Sequence, residues 1–362
     1  MTATPTDELT SRSARYKNAL IGLAAGDAWG FQVEFRKYED MPAYPVPAPA
    51  GEWMISDDTQ MTLALHDALV EVTDFADIPA VTDSIVRHFI KWELDPENFR
   101  APGMTCMGSL ANLRAGANWY DADGARKSAG CGAVMRLTPA AFGPESHWLG
   151  LTALQAVITH KHPRAVIPAL LLADATRHAH ERGGVFLEHA LASGRAMVDG
   201  SSHWIDDPYL NDVLAPIVGD MSSYLIKGLN DGVTEALTNA IERRDALRFL
   251  GSNDPSSYGD PCVGIGEGWE SASATALALL VADMATGSED EPAHLTGPQA
   301  LAWASTSNGD SDSIACMAGA LIGAAHSEPD YWSRNGLNPT FEPRYAQELD
   351  NAHYDGLAKT LD

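Results

Sequence analysis

Two acidic clusters carry more charge than a helix start requires. Ser56-Asp57-Asp58-Thr59-Gln60-Met61 sets a hydroxyl and two consecutive carboxylates immediately before the apolar stretch Met61 to Val72. Gly309-Asp310-Ser311-Asp312-Ser313 stands in the same relation to the apolar stretch Ile314 to Ala325. For either cluster alone, helix capping is the ordinary explanation, because Asp and Ser in a first turn satisfy free N–H groups and complement the helix dipole. Taken together they hold four carboxylates, which repel one another unless cations neutralise them. Oxygen donors with no Cys or His among them suit hard cations, Mg2+, Mn2+ or Ca2+ rather than zinc. If the clusters converge, they suffice to bridge a pair of ions about 3.5–4 Å apart, an arrangement that polarises substrate oxygens and activates water.

Three further segments could contribute. Gly22-Leu23-Ala24-Ala25-Gly26-Asp27-Ala28-Trp29-Gly30-Phe31-Gln32-Val33-Glu34 spaces its glycines for close helix packing, but that does not account for Asp27 and Glu34. Gly130-Cys131-Gly132-Ala133-Val134-Met135-Arg136 is a glycine-rich turn whose backbone N–H groups could cradle a phosphate. Thr159-His160-Lys161-His162-Pro163 lies at the end of a helical stretch, where a histidine is more often a C-cap or surface residue than a ligand contact.

The elements that must position these residues are helical. Tyr16 to Ala28, Gln60 to Val72, Ala80 to Trp92, Leu149 to Thr159, Ala165 to His178, Ser271 to Met284 and Ile314 to Ala325 carry the 3.6-residue apolar period. Many of them are rich in Ala, Leu and Met, whereas alternating Val, Ile and Thr are scarce. Met41 to Gly51, Asn253 to Pro261 and Ser288 to Pro298 read as loops. The expected organisation is a flexible N-terminal tail over residues 1–13, one domain over 14–329 and a polar C-terminal extension over 330–362 packed on or capping it.

Composition removes several classes of function. With 45% hydrophobic and 20% charged residues among 362, the chain can bury a sizeable core and is not a disordered tail. The net charge of −25 opposes binding to nucleic acid or anionic lipid. The apolar run Ala276 to Ala282 stops at Asp283, far short of the ~18 residues of a spanning helix, so no membrane is expected. Cys106, Cys131, Cys262 and Cys316 form no C-x-x-C pair, and no export signal precedes Tyr16, so reduced thiols and a cytoplasmic setting are expected.

Read in order, GDAWGFQVE, SDDTQM, APGMT, GCGAVMRLTP, THKHP and GDSDSIACMAGALIGA resemble the successive signatures of the ADP-ribosylglycohydrolase family, from about Ala19 to Ala325. The resemblance implies an all-α, single compact multi-helix domain with a dinuclear metal cleft, holding two divalent cations, Mg2+ or Mn2+. It implies metal ligation by Ser56, Asp57, Asp58, Asp310, Asp312 and Ser313, with Glu34 at the acidic position that contacts metal or water in some members. Asp57, Asp58, Glu34 and Asp312 are the implied catalytic carboxylates. Gly103, Ser128, Gly130, Cys131, Gly132 and His160 would line the pocket for distal ribose and diphosphate, with Trp269 near the nucleotide. The implied activity is hydrolytic removal of ADP-ribose from a modified protein side chain, arginine first among the candidates. The other reading is an immunity protein that binds and occludes an ADP-ribosyltransferase toxin, with or without hydrolysis.

This chain departs from the commoner family pattern at several positions. Ser56 and Ser313 stand where Thr is usual, each keeping its hydroxyl. Cys131 replaces a common Asn. Ala101-Pro102 stand where some members carry a carboxylate acid/base, which leaves proton relay to Asp57, Asp58 or Glu34, or to water held by the metals.

Overall fold

The computed structural model describes residues 5–287 and 292–358. Eight helices frame the site: α1 (Pro5–Phe31), α2 (Asp57–Glu71), α3 (Ile78–Glu93), α4 (Met104–Arg114), α5 (Trp148–Val157), α6 (Pro163–Arg177), α7 (Ser271–Ala285) and α8 (Ser311–Ala325). Among the described residues extended pairing is limited to isolated bridges, so the fold is all-α. Helices α7 and α8 are apolar on nearly every face and buried along almost their whole length, and α1, α2 and α6 pack against one or both of them.

The glycines of α1 explain its closest contact. Gly22, Gly26 and Gly30 recur every four residues and share one face. There they meet the backbone of Gly319, Ala315 and Ser311 on α8, and a Cβ at any of the three would overlap a carbonyl oxygen of the partner helix. Gly319 and Gly323 of α8 answer them against Gly22 and Asn18. The two helices therefore touch main chain to main chain, which fixes the ends that bear Glu34 and Asp312.

The start of the chain is helical where a flexible tail is expected. Residues 5–13 are the first turns of α1, while residues 1–4 lie outside the described residues. This start of the helix has a surface to dock on: Ser13 Oγ lies 3.4 Å from Asp355 Oδ1, and Arg12 sits over the Tyr354 ring. Trp332, Tyr345 and Tyr354 are buried in the main core. Glu342 pairs with Arg100, whose Nη1 also donates to the Ile55 carbonyl next to Ser56 (3.1 Å), so the C-terminal segment buttresses the entry to α2. Of the loop expected from Ser288 to Pro298, residues 288–291 lie outside the described residues, and Gly297-Pro298 already open the helix Gly297–Ala304.

Candidate active site

The starts of α2 and α8 face one cavity of ≈ 330 Å³. Its wall includes Glu34, Asp57, Asp58, Gly103, Gly130, Cys131, Gly132, His160, Trp269, Asp310, Asp312 and Ser313, so segments far apart in the chain meet there. Oxygens of Glu34, Asp310 and Asp312 lie within 4.8 Å of one another. Asp57 and Asp58 occupy the same cavity but are not part of that triad.

Each carboxylate is held differently. Asp27, from α1, shares the capping of α2 with Ser56: it accepts from Ser56 N (2.9 and 3.1 Å), from Thr59 N (3.0 Å) and from the Thr59 hydroxyl. Ser56 is the N-cap residue, with its Oγ accepting from Asp58 N at 3.3 Å, and it helps stabilise the Asp312 carboxylate. It is fully buried and absent from the cavity wall. Asp57 Oδ2 accepts from Gly103 N (3.1 Å), tying α2 to the start of α4. Asp310 occupies the N-cap position of α8 without capping it; its Oδ2 accepts from the Cys131 thiol at 2.8 Å. Ser313 Oγ lies 3.9 Å from the same sulfur.

These groups strain against their surroundings. Burial, then repulsion from Asp312 and Asp310, pushes Glu34 up to about 10. Burial drives Asp57, Asp58 and Asp310 well above the usual carboxylate range, and Asp312 is a repelling neighbour of each. Asp58 Oδ1 and Glu34 Oε2 are buried without a hydrogen-bond partner among the described residues. Buried acceptors left unpaired amid like charges are costly, and a cation with oxygen preference would satisfy both defects. The residues present thus fit divalent cations.

The glycine loop is a short turn over Cys131–Ala133 whose first amides point inward. Gly130 N donates to Ser128 Oγ (3.2 Å) and Cys131 N to the Trp269 carbonyl (3.0 Å), so neither is offered to a phosphate. Ser128 lies off the cavity wall and braces the loop from behind, its Oγ also 3.2 Å from Thr105 Oγ1. His160 is buried below the loop, and burial with nearby Arg136 lowers it to about 3, so the ring is neutral. His162 is the N-cap of α6, accepting from Arg164 N (3.1 Å) ahead of Pro163, rather than a C-cap of the helix before.

The mouth is apolar. Phe35 (68% exposed) and Trp269 (37%) stack with centroids 5.5 Å apart and planes 12° from parallel, and Met104 (85%) also lies on the rim. Phe35 adopts φ +67°, a conformation that carries a cost in a non-glycine residue.

The family profile described as ADP-ribosylglycohydrolase matches residues 8–358. The chain belongs to the ADP-ribosylglycohydrolase family. Among its relatives, the ADP-ribosylarginine hydrolase Tri1 of Pseudomonas putida (strain GB-1) is 34% identical over 175 residues, 44% of this chain and 45% of that protein. The ADP-ribosyl-[dinitrogen reductase] glycohydrolase of Rhodospirillum rubrum is 31% identical over 232 residues, 58% of this chain and 72% of that protein. An uncharacterized protein of Archaeoglobus fulgidus is 28% identical over 177 residues, 44% of this chain and 54% of that protein. The chain therefore matches only about half the length of two of these relatives. A solved structure titled ADP-ribosylglycohydrolase-related protein complex superposes with a TM-score of 0.59 over 98% of this chain and 100% of its own, at 21% identity, a likeness of fold.

Within this ADP-ribosylglycohydrolase fold, sequence reasoning singled out Asp27 without placing it in the site, and it assigned no role to Phe35, Met104 or Thr159. Phe35 directly follows Glu34, and Met104 stands inside the quoted motif APGMT. Thr159 stood inside a flagged motif, but its partner Arg136 is brought to it by the fold alone.

Proposed function

We propose that this protein hydrolyses the bond between ADP-ribose and a modified protein side chain, arginine foremost, with divalent cations, Mg2+ or Mn2+, held by Asp57, Asp58, Asp310 and Asp312 and by the Ser56 and Ser313 hydroxyls. The convergence of Glu34, Asp310 and Asp312 to within 4.8 Å, on one cavity with Asp57 and Asp58, carries this reading. The arginine acceptor is supported by the relative named an ADP-ribosylarginine hydrolase. Bound cations would polarise ribose oxygens and lower the pKa of water in the cavity.

The chain's own groups account for the rest. Cleavage of an anomeric C–N bond builds positive charge on the ribose, and the wall of carboxylates stabilises it. The leaving guanidine must gain a proton and the attacking water must lose one. Glu34 is half-buried where the neighbouring aspartates are buried, so it sits where a proton can pass between the reacting bond and solvent. The neutral ring of His160 and the glycine loop line the same cavity as the acids and would face the distal diphosphate. Binding of that remote portion positions the scissile bond.

The test is release of ADP-ribose from an arginine-ADP-ribosylated protein with Mg2+ or Mn2+, run in parallel with EDTA. Metal-dependent release is expected. No release from arginine, serine or free conjugates would overturn the hydrolase reading in favour of a binding role.

A further inference from the structure

Arg136 is wholly buried beneath the cavity (0% exposed), lies 4.6 Å from the Phe89 ring centroid and has no carboxylate partner among the described residues. Its Nε donates to Gln155 Oε1 (2.9 Å) and its Nη2 to the Gln155 carbonyl (2.7 Å). Gln155 is itself oriented by its Nε2, which donates to the Ala133 carbonyl (2.8 Å). The guanidinium is thereby fixed with Nη2 also 2.6 Å from Thr159 Oγ1, and Nη1 3.3 Å from both Met61 Sδ and Cys106 Sγ.

Hydrogen-bond logic then determines a proton position. A guanidinium has donors only, so Thr159 Oγ1 must accept from Arg136 and its own proton must go elsewhere. The hydroxyl borders two acceptors: His160 Nδ1 at 2.8 Å and the Cys106 sulfur. A thiol sulfur is a weak acceptor, and this one already faces Arg136 Nη1. The imidazole nitrogen takes the proton. His160 Nδ1 is therefore an acceptor, and in a neutral ring the single proton resides on Nε2.

The other edge of the ring lies against the glycine loop, which lines the cavity. A Cβ at Gly130 would lie 3.3 Å from His160 Nε2 and one at Gly132 2.9 Å from Cε1, so the loop rests on the ring because its residues are glycines. His160 is part of the cavity wall. We propose that Arg136 and Thr159 are positioning residues that fix His160 as its Nε2–H tautomer, so that the cavity meets a hydrogen-bond donor aimed at an anionic oxygen of the ADP-ribose portion of the substrate. The identity of that oxygen's owner rests on the hydrolase reading; the tautomer does not. The same cavity carries the carboxylates Asp57, Asp58, Asp310 and Asp312, which without bound cations would repel a diphosphate. A donor that stays neutral and correctly tautomerised gives the diphosphate a favourable place to lie.

Two readouts on the full chain test this. In two-bond 1H–15N histidine spectra of the Mg2+-loaded protein, with His160 assigned through His160→Gln, the wild type should carry its ring proton on Nε2 across pH 5–8. Thr159→Val should shift the tautomer and weaken ADP-ribose binding about tenfold, the loss of one hydrogen bond to a charged group. Thr159→Ser should restore both. In turnover, Thr159→Val should raise KM with kcat changed less than about twofold. A wild-type proton on Nδ1, or a Thr159→Val protein with unchanged tautomer and affinity, overturns the proposal. A wild-type proton on Nδ1 overturns the proposal even if Thr159→Val fails to fold. A wild type with the Nε2 proton but no hydrolysis would sink the hydrolase reading while upholding the relay.

Discussion

Ser56 and Asp310 each stand one residue before a helix, yet their side chains do different work. Ser56 caps α2, as its type and place imply, whereas Asp310 leaves the start of α8 uncapped and turns toward Cys131. The difference was legible only as an excess of carboxylates over what a cap consumes; which residue would cap and which would project depends on Asp27, whose carboxylate arrives from another helix. Arg136 was illegible for the same reason, since its partners Gln155 and Thr159 are set by packing and not by the glycine motif that contains it. Two predictions belong at this scale. Asp312→Ala should lower kcat about a thousandfold in the ADP-ribose release assay. In EDTA it should melt no lower than the wild type by calorimetry, because one of several mutually repelling buried carboxylates is gone. Trp269→Ala should raise KM about tenfold through loss of the stacked face at the mouth, with kcat within about twofold and a melting temperature close to wild type.

Periodicity was enough to find the helices that carry the site, and their observed limits differ from the apolar stretches by a few residues: α2 runs Asp57–Glu71 and α7 runs Ser271–Ala285. The acidic residues, read as preceding the helices, lie largely in their first turns. The glycines of α1 could be read for close packing, but the partner helix could not, because nothing local in Gly22, Gly26 and Gly30 names α8. The first turns of α1 were missed because residues 5–13 lack a strong apolar period; they are helical as the start of a long helix docked on the C-terminal segment. Gly26→Val should force α1 and α8 apart, since its side chain would enter the main chain at Ala315. The expected cost is about 3 kcal/mol or more in urea unfolding, with loss of activity in whatever protein remains folded because Asp312 lies on one of the separated helices and Glu34 just past the end of the other.

At the scale of the whole molecule, the chain has a helical core apolar enough to bury polar groups deeply, and two consequences can be measured. His66 is buried against Tyr16, its Nδ1 2.7 Å from the phenol oxygen, and burial lowers it from 6.5 to about 4. A group whose folded pKa is depressed contributes stability above its unfolded value and loses it as the pH falls toward the folded one. Between pH 7.5 and 5 the wild type should therefore lose about 2 kcal/mol more than His66→Phe in urea titrations. Among the described residues no helix is long and apolar enough to cross a membrane. The cation site proposed above is formed by acids from α2 and α8, with Glu34 beyond α1. Titration of the metal-free chain with Mn2+, followed by electron paramagnetic resonance, tests it directly. Two ions bound per chain, with binding lost in Asp312→Ala, is the predicted result; a wild type that binds no Mn2+, or an Asp312→Ala chain that binds it equally well, would contradict the account.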